Sequence, residues 1–259
     1  MKKVFLQMMF GSKVPWFDQY VNDVQFLEKY GWYWKIFTPC DVQSRGNVEV
    51  VPMSLNDFDK RIEDKCGFPP RNYIDPKTET PHKLTSDYYP AYGFLMEEYI
   101  KGFDFWGHTN WDVIYGRLDH FFPDTLLEKS DIVADENNEI NGPFTVYRNN
   151  AKTNSIFMLV EGWKEMFKEH ELFTFDEYHM TKKVQEMSER GLVRFNTPGE
   201  FPFHGYDRFD HHIPVPQLKR KRDGSLYELF TDRVTGRKMG REISFFHFSY
   251  SKKYPHIYE

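Results

Sequence analysis

Asn110 and Asp112 stand two residues apart at the end of an aromatic run, Phe103-Asp104-Phe105-Trp106-Gly107-His108-Thr109-Asn110-Trp111-Asp112, which starts just after a helix stop at Gly102. An apolar run that ends abruptly in polar residues is the pattern of a buried central strand. Its carboxyl end then delivers oxygen ligands into a crevice, and in open α/β sheets that edge is where ligands sit. If the strand continues through both residues, their side chains project the same way. An amide oxygen and a carboxylate so placed could share one hard cation. The alternative is a strand followed by an Asx-type turn, in which Asn and Asp bond their own backbone.

Other residues carry possible chemistry. His247 lies in the aromatic stretch Ile243-Ser244-Phe245-Phe246-His247-Phe248. There it is either a satisfied core histidine or a third ligand approaching from the far side of the site. Asp176 and Glu177 follow Phe173-Thr174-Phe175 at a helix start. Acidic residues are favoured there by the helix dipole, and one of them could be a general base aimed into the crevice. His204, Asp207, Asp210, His211 and His212 are dense but match no zinc spacing, and read as a polar loop with some access to substrate. Lys219-Arg220-Lys221-Arg222 reads as a solvated basic face. The chain has no Walker A, G-x-G-x-x-G, H-E-x-x-H or G-x-S-x-G pattern.

The elements that must position these residues follow from periodicity and punctuation. Residues 2–10 read as a first strand. Phe17, Tyr20, Val21, Val24 and Leu27 repeat at helical spacing and Gly31 closes that helix. Trp32 to Phe37 and Val48 to Val51 read as strands. A helix capped by Ser54 with Asp57 in answer ends near Cys66-Gly67. The first 67 residues therefore read β-α-β-β-α, an α/β opening. Residues 68–87 read as a long loop. A helix is expected from Pro90 to Lys101, with Tyr92, Leu95, Met96 and Tyr99 on one face and Gly102 as its stop. After the central strand come a short helix and turn over 118–131, a polar loop at Asp135–Asn138, a β-prone Phe144–Tyr147, and a helix capped by Asn149-Asn150 and broken near Gly162. Phe175 to Arg190 reads as a helix stopped by Gly191. The region from Phe195 to Pro216 reads as irregular. Asp223-Gly224 and Thr235-Gly236 read as turns beside strands at Tyr227–Phe230 and Ile243–Phe248.

Composition narrows the classes. A chain of 259 residues suits one large domain or two small ones. With 18% aromatic residues it can build a core and keep stacking surfaces for planar or sugar rings. A net charge of −5 argues against a general nucleic-acid binder, which needs a basic face. Cys40 and Cys66 form no C-x-x-C pair, so both read as reduced thiols of a cytosol-like compartment. Met1-Lys2-Lys3 before Val4–Phe10 superficially resembles a signal peptide. Gln7 breaks the apolar run and no cleavage site follows, so a buried first strand is expected. No run approaches a membrane span.

Lys83–Gly93, then Glu98–Gly107, Asp112–Gly116 and Gly142–Asn149, taken together, resemble a family of GT-A-type glycosyltransferases found in bacterial polysaccharide loci and in some large viruses. The resemblance covers roughly residues 2–185 and 242–255. It implies a single GT-A-like (Rossmann-type) α/β domain over 1–259, with a mixed central sheet flanked by helices and a β-rich C-terminal extension. Residues 1–117 would bind the nucleotide-sugar, and 118–259 the acceptor, with an insertion at 195–240. The implied activity is hexosyl or pentosyl transfer from a UDP- or GDP-sugar to a saccharide, assisted by Mn²⁺ or Mg²⁺. No nucleic-acid partner is expected, and the place is the cytoplasm, that of the host if the source is viral. The family's Asp-x-Asp motif falls on Asn110-Trp111-Asp112, with Asn in the first place. Asp112 and His247 would hold the metal with help from Asn110. Lys83 and Asp87 would lie near the nucleotide together with Asn110, Trp111 and Asp112, while Gly142, Thr145 and Tyr147 would border the acceptor. Asp176 would be the base, partly buried yet ionised near neutral pH, with Glu177 in reserve. Two rival classes remain: a metal-dependent phosphodiesterase or nuclease, and a non-catalytic saccharide-binding protein.

Overall fold

A computed structural model describes residues 1–69, 86–134, 139–168, 174–198, 204–206, 217–231, 235–248 and 255–258. Strand β1, Lys3–Met8, is buried along its whole length. Val4, Leu6 and Met8 enter one core and Phe5 and Met9 another, as the two-residue period of a strand covered on both faces requires. Helix α1, Phe17–Val24, runs on as a 3₁₀ segment to Tyr30 and ends at Gly31 with φ of 79°. Strands β2, Trp32–Thr38, and β3, Val48–Pro52, follow. Helix α2, Leu55–Cys66, starts with the expected capping box: Asp57 N–H donates to Ser54 Oγ while Ser54 N–H donates to the Asp57 carboxylate.

The expected helix over 90–101 is broken. Ser86–Ala91 forms 3₁₀ turns containing Pro90, and only Tyr92–Leu95, α3, is α-helical. Pro90 donates no backbone hydrogen bond, and the segment is held by its side chains, with Tyr92, Leu95 and Met96 buried as expected. Gly93 lies hard against the Trp106 indole: a Cβ there would sit 2.2 Å from the ring. Gly93→Ala is therefore expected to destabilise the protein by about 1–3 kcal/mol through overpacking, measured by denaturant unfolding. A change within about 0.5 kcal/mol would show that Trp106 can yield.

Strand β4, Phe105–His108, is followed by β5, Val113–Tyr115, helices α4, Leu118–Phe121, and α5, Asp124–Glu128, and strands β6, Ile132–Ala134, and β7, Thr145–Arg148. Helices α6, Ala151–Asn154, α7, Trp163–Lys168, and α8, Met180–Glu189, lead to β8, Phe195–Asn196. The main sheet has the order β3-β2-β1-β4-β7-β6-β8, and β7 alone among its strands runs antiparallel to its neighbours. Residues of α1, α4 and α5 cover one face, and residues of α2, α3, α7 and α8 the other. The chain leaves β1 for β2 on one side and returns to β4 on the other. The carboxyl ends of β1 and β4 thus flank a topological switch point.

The remaining strands are β9, His204–Tyr206, β10, Gln217–Arg220, β11, Leu226–Thr231, β12, Lys238–Ile243, β13, Phe245–His247, and β14, Ile257–Tyr258. They build a four-stranded sheet, β12-β11-β10-β14, and, with β5, a three-stranded sheet, β5-β13-β9. The expected architecture, a mixed α/β sheet flanked by helices with a β-rich C-terminal extension, is what the structure shows. The basic run is a correction: Arg220 is no solvated charge. It lies in β10, donates to Tyr115 O at 2.8 Å and pairs with Asp23 at 3.3 Å. Among the described residues no helix is long and apolar enough to cross a membrane.

Candidate active site

The turn from Thr109 to Asp112 closes over the carboxyl ends of β1 and β4. It is pinned from three directions. Gln7 Nε2 donates to Asn110 O at 3.2 Å, Trp16 Nε1 to Trp111 O at 2.7 Å, and Thr109 Oγ1 to Pro143 O at 2.8 Å. Trp111, expected at the nucleotide, has its indole N–H on Met8 O at 2.9 Å and its ring against Phe17 and Tyr20. It braces the turn. Strand β4 stops at His108, so the expected extended geometry through Asn110 and Asp112 is not formed; the turn brings the two side chains together instead.

The antiparallel pairing of β13 with β5 sets His247 opposite Val113, next to Asp112. Phe248 N–H donates to Asp112 O at 2.9 Å. His247 Nε2 then lies 3.1 Å from Asp112 Oδ1 and 3.5 Å from Asn110 Nδ2. Tyr89 OH donates to Asn110 Oδ1 at 3.2 Å. Asn110, Asp112 and His247, placed together by expectation, are brought together by the fold.

The geometry also tests whether a metal fits. A single imidazole nitrogen faces a carboxylate, which calls for a donor, and an amide NH₂, which calls for an acceptor; one nitrogen cannot serve both. A divalent cation bound by Asp112 and His247, with the Asn110 amide turned to present its oxygen, satisfies all three, and Tyr89 OH can accept from the turned amide. Among the described residues no three His, Cys, Asp or Glu side chains converge to hold a metal, so a cation here would need the Asn110 amide oxygen as its third protein ligand. A carboxylate, an imidazole and an amide suit Mn²⁺ better than Mg²⁺, which prefers oxygen and water.

Across the crevice stand the loop at Asn141–Thr145 and a single π turn, Phe175–His179, that opens α8. Single π turns inside α-helices occur frequently at functional sites. Thr174 before it has φ of 50°, the one positive φ of a non-glycine residue among the described residues. For a β-branched residue this costs about 1–3 kcal/mol. Glu177 N–H and Tyr178 N–H donate to Thr174 O, and Phe175 N–H donates to Asp87 Oδ1 at 2.8 Å. Glu177 is exposed, and its Oε1 accepts from Gly142 N–H at 3.2 Å. A Cβ at Gly142 would lie 3.4 Å from Asn110 Oδ1 and 3.5 Å from Glu177 Oε1. Gly142 therefore separates Glu177 from the Asn110 side of the site.

Three expectations are corrected here. Asp176 is buried at 4% exposure, and burial, then the charges of Glu177 and Asp87, push its carboxyl well above the usual range. Burial opposes the ionised form that the expected base requires. Asp87, expected beside the nucleotide, is 1% exposed, and its carboxylate accepts from Phe175 N–H inside the fold. Thr145 and Tyr147 are wholly buried: Thr145 Oγ1 is tied to Asn141, and Tyr147 stacks on Trp106 at 4.4 Å. Gly142 is the one acceptor-side residue of that trio in the crevice wall. Lys83, Asp207, Asp210, His211 and His212 lie outside the described residues, and His204 is in β9. Tyr89 and His108 were not anticipated. The signal for His108 was a polar residue inside an otherwise apolar strand. It is wholly buried, and burial pushes its imidazole down to about 3.

Asp176 yields a stability prediction with a definite sign. Its folded pKa lies above the ordinary 3.8, so stability present below about pH 4 is lost as pH rises towards the folded value. Asn resembles the protonated acid and has no proton to lose. Asp176→Asn is therefore expected to match the wild type in Tm near pH 4 and to exceed it increasingly towards pH 8. A Tm difference that shrinks with rising pH would mean that Asp176 is stabilised as the anion.

The fold and the crevice define an α/β protein with a switch-point site walled by Asp112, His247, Asn110, Gly142 and Glu177. The chain belongs to a family of unknown function, DUF6625, whose model matches residues 5–256. No curated protein matches it. Two solved structures are similar. One is the galactosyltransferase LgtC in complex with donor and acceptor sugar analogs, at 14% identity; the other is an active-site mutant of LgtC, at 13%. Each has a TM-score of 0.43, and in each case the similarity spans 96% of this chain and 87% of the other.

Proposed function

We propose that this protein is a glycosyltransferase that moves a sugar from a UDP- or GDP-sugar to a saccharide acceptor. The observation that carries this is the Asp112–His247 pair at 3.1 Å, set at the sheet's switch point, with the exposed Glu177 across Gly142. Of the segments that resemble GT-A transferases, the ones beginning at Asp112 and at Gly142 flank the site from opposite sides, and this supports the reading. Residues up to about 117 would hold the donor, and the segment from 118 onward the acceptor. Asp112, His247 and Asn110 would hold Mn²⁺ or Mg²⁺, whose chemistry is to neutralise charge on the leaving nucleoside diphosphate.

In this scheme Glu177, exposed to solvent, takes the proton of the acceptor hydroxyl as that oxygen bonds to the anomeric carbon. The bond from that carbon to the diphosphate oxygen breaks. Asp176, buried behind it with its carboxyl pushed up by burial, takes no proton in this scheme. The test is release of nucleoside diphosphate from a panel of UDP- and GDP-sugars, with and without Mn²⁺, beside a nucleic-acid cleavage assay. Slow metal-dependent release from one donor supports the proposal. Cleavage of nucleic acid with every sugar donor left intact refutes it in favour of a nuclease, and binding without turnover in favour of a saccharide-binding protein.

A further inference from the structure

His108 is 0% exposed and lies at the end of β4. Its ring stacks on Tyr89 with centroids 4.6 Å apart, and Tyr147 closes in at 5.9 Å, so it has no room to swing. His108 Nε2 is 3.0 Å from Asn141 O. A carbonyl only accepts, so Nε2 carries the proton and donates. The same peptide unit, Asn141–Gly142, offers its N–H on the opposite side to Glu177 Oε1 at 3.2 Å. A peptide plane is rigid; fixing its oxygen fixes the direction of its N–H.

We infer that His108 is a positioning residue, which orients the Asn141–Gly142 peptide and thereby aims the Glu177 carboxylate into the crevice. The inference rests on the transferase proposal for what Glu177 does there, and on the hydrogen bonds alone for how it is held. Through its stack on Tyr89, whose hydroxyl donates to Asn110 Oδ1, the same ring also backs the opposite wall of the site. A histidine that merely filled space would be replaceable by an apolar ring. Here the ring's one donor sits two bonds in the network away from the reacting carboxylate, on a sheet strand, the kind of rigid support a precise site needs.

Two variants separate the donor from the ring. His108→Phe fills the slot and keeps a stack on Tyr89 but cannot donate. His108→Gln loses the ring, yet its amide nitrogen reaches about as far as Nε2. The first readout needs no activity: the backbone amide signal of Gly142 by NMR. Glu177→Gln marks how that signal moves when its acceptor loses its charge. His108→Phe is expected to shift it and to speed its exchange roughly tenfold, the scale of one lost hydrogen bond, whereas His108→Gln stays near the wild type. In transfer assays His108→Phe is expected to lower kcat roughly 10–100-fold with donor KM unchanged. Added to Glu177→Gln, it is expected to cost little more than Glu177→Gln alone. If His108→Phe does not fold, His108→Leu takes its place as the variant without a donor. An unmoved Gly142 signal, or losses that multiply independently with Glu177→Gln, overturns the inference. A wild type without transfer activity overturns the proposed function instead, and the Gly142 signal still decides whether His108 positions Glu177.

Discussion

Glu177→Gln is expected to lower transfer by roughly 10²–10⁴-fold while nucleotide-sugar binding stays intact, the usual share of general-base catalysis. Gln keeps an Oε1 to accept from Gly142 N–H, so the loop stays in place and what is lost is proton affinity. The paired control is Asp176→Asn. Burial pushes the Asp176 carboxyl up and keeps it out of the solvent, so replacing it by an isosteric amide should change turnover less than about tenfold. Both are measured as kcat under saturating donor and acceptor. A large loss for Asp176→Asn with Glu177→Gln unimpaired would return the base to Asp176. It would also show that substrate binding opens that pocket enough to ionise it.

Asp112→Ala is expected to abolish the gain in nucleoside diphosphate affinity that Mn²⁺ confers, read by calorimetry with and without the ion. The backbone of residue 112 still accepts from Phe248 N–H after the change, so β13 should remain docked and Tm should move little. Asn110→Asp acts in the opposite direction. A second carboxylate raises the ligand charge count, which tightens divalent-cation sites, and Tyr89 OH can donate to the new oxygen as it does to the amide. Looser metal binding by Asn110→Asp would mean that the amide N–H₂ has its own work at His247. Equal binding with and without Mn²⁺ in the wild type would remove the metal from the mechanism.

Much of the architecture was legible because its signals are local. Ser54 and Asp57 announce a helix start, Gly31 and Gly191 announce stops, and the unbroken apolar Val4–Leu6 announces a strand covered on both sides. The site was legible in part. Asn110, Asp112 and His247 could be grouped, although the sequence left open whether the first two lie on a continuing strand or in a turn. Periodicity does not record where Phe105–His108 stops, since that is set by Gln7 and Trp16 reaching in from elsewhere in the chain and by Trp111 reaching out to Met8. Burial was the harder quantity. Asp87, Asp176, Thr145 and Tyr147 carry polar groups that a sequence assigns to a surface, yet Phe175, Trp106 and the 141–145 loop cover them. The helix at 90–101 formed only over Tyr92–Leu95, and the stripe of Tyr92, Leu95 and Met96 is buried without a full helix to carry it.

The pairing of β13 with β5 has a consequence for how the molecule comes together. Asp112 and His247 are 135 positions apart in the chain, so their meeting is among the most non-local events in folding. Closing so long a loop is entropically slow, and contacts of this kind form late. Strands β1 to β3, with α1 and α2, have their partners much nearer in sequence and can assemble beforehand. The last step is then the arrival of one short aromatic strand at a sheet already built. A refolding chain would pass through a stage with its main cores formed and its crevice lacking one wall. Ligands that need His247 would be blind to that stage. They would act as a trap for the finished form alone, slowing unfolding without hastening the early collapse.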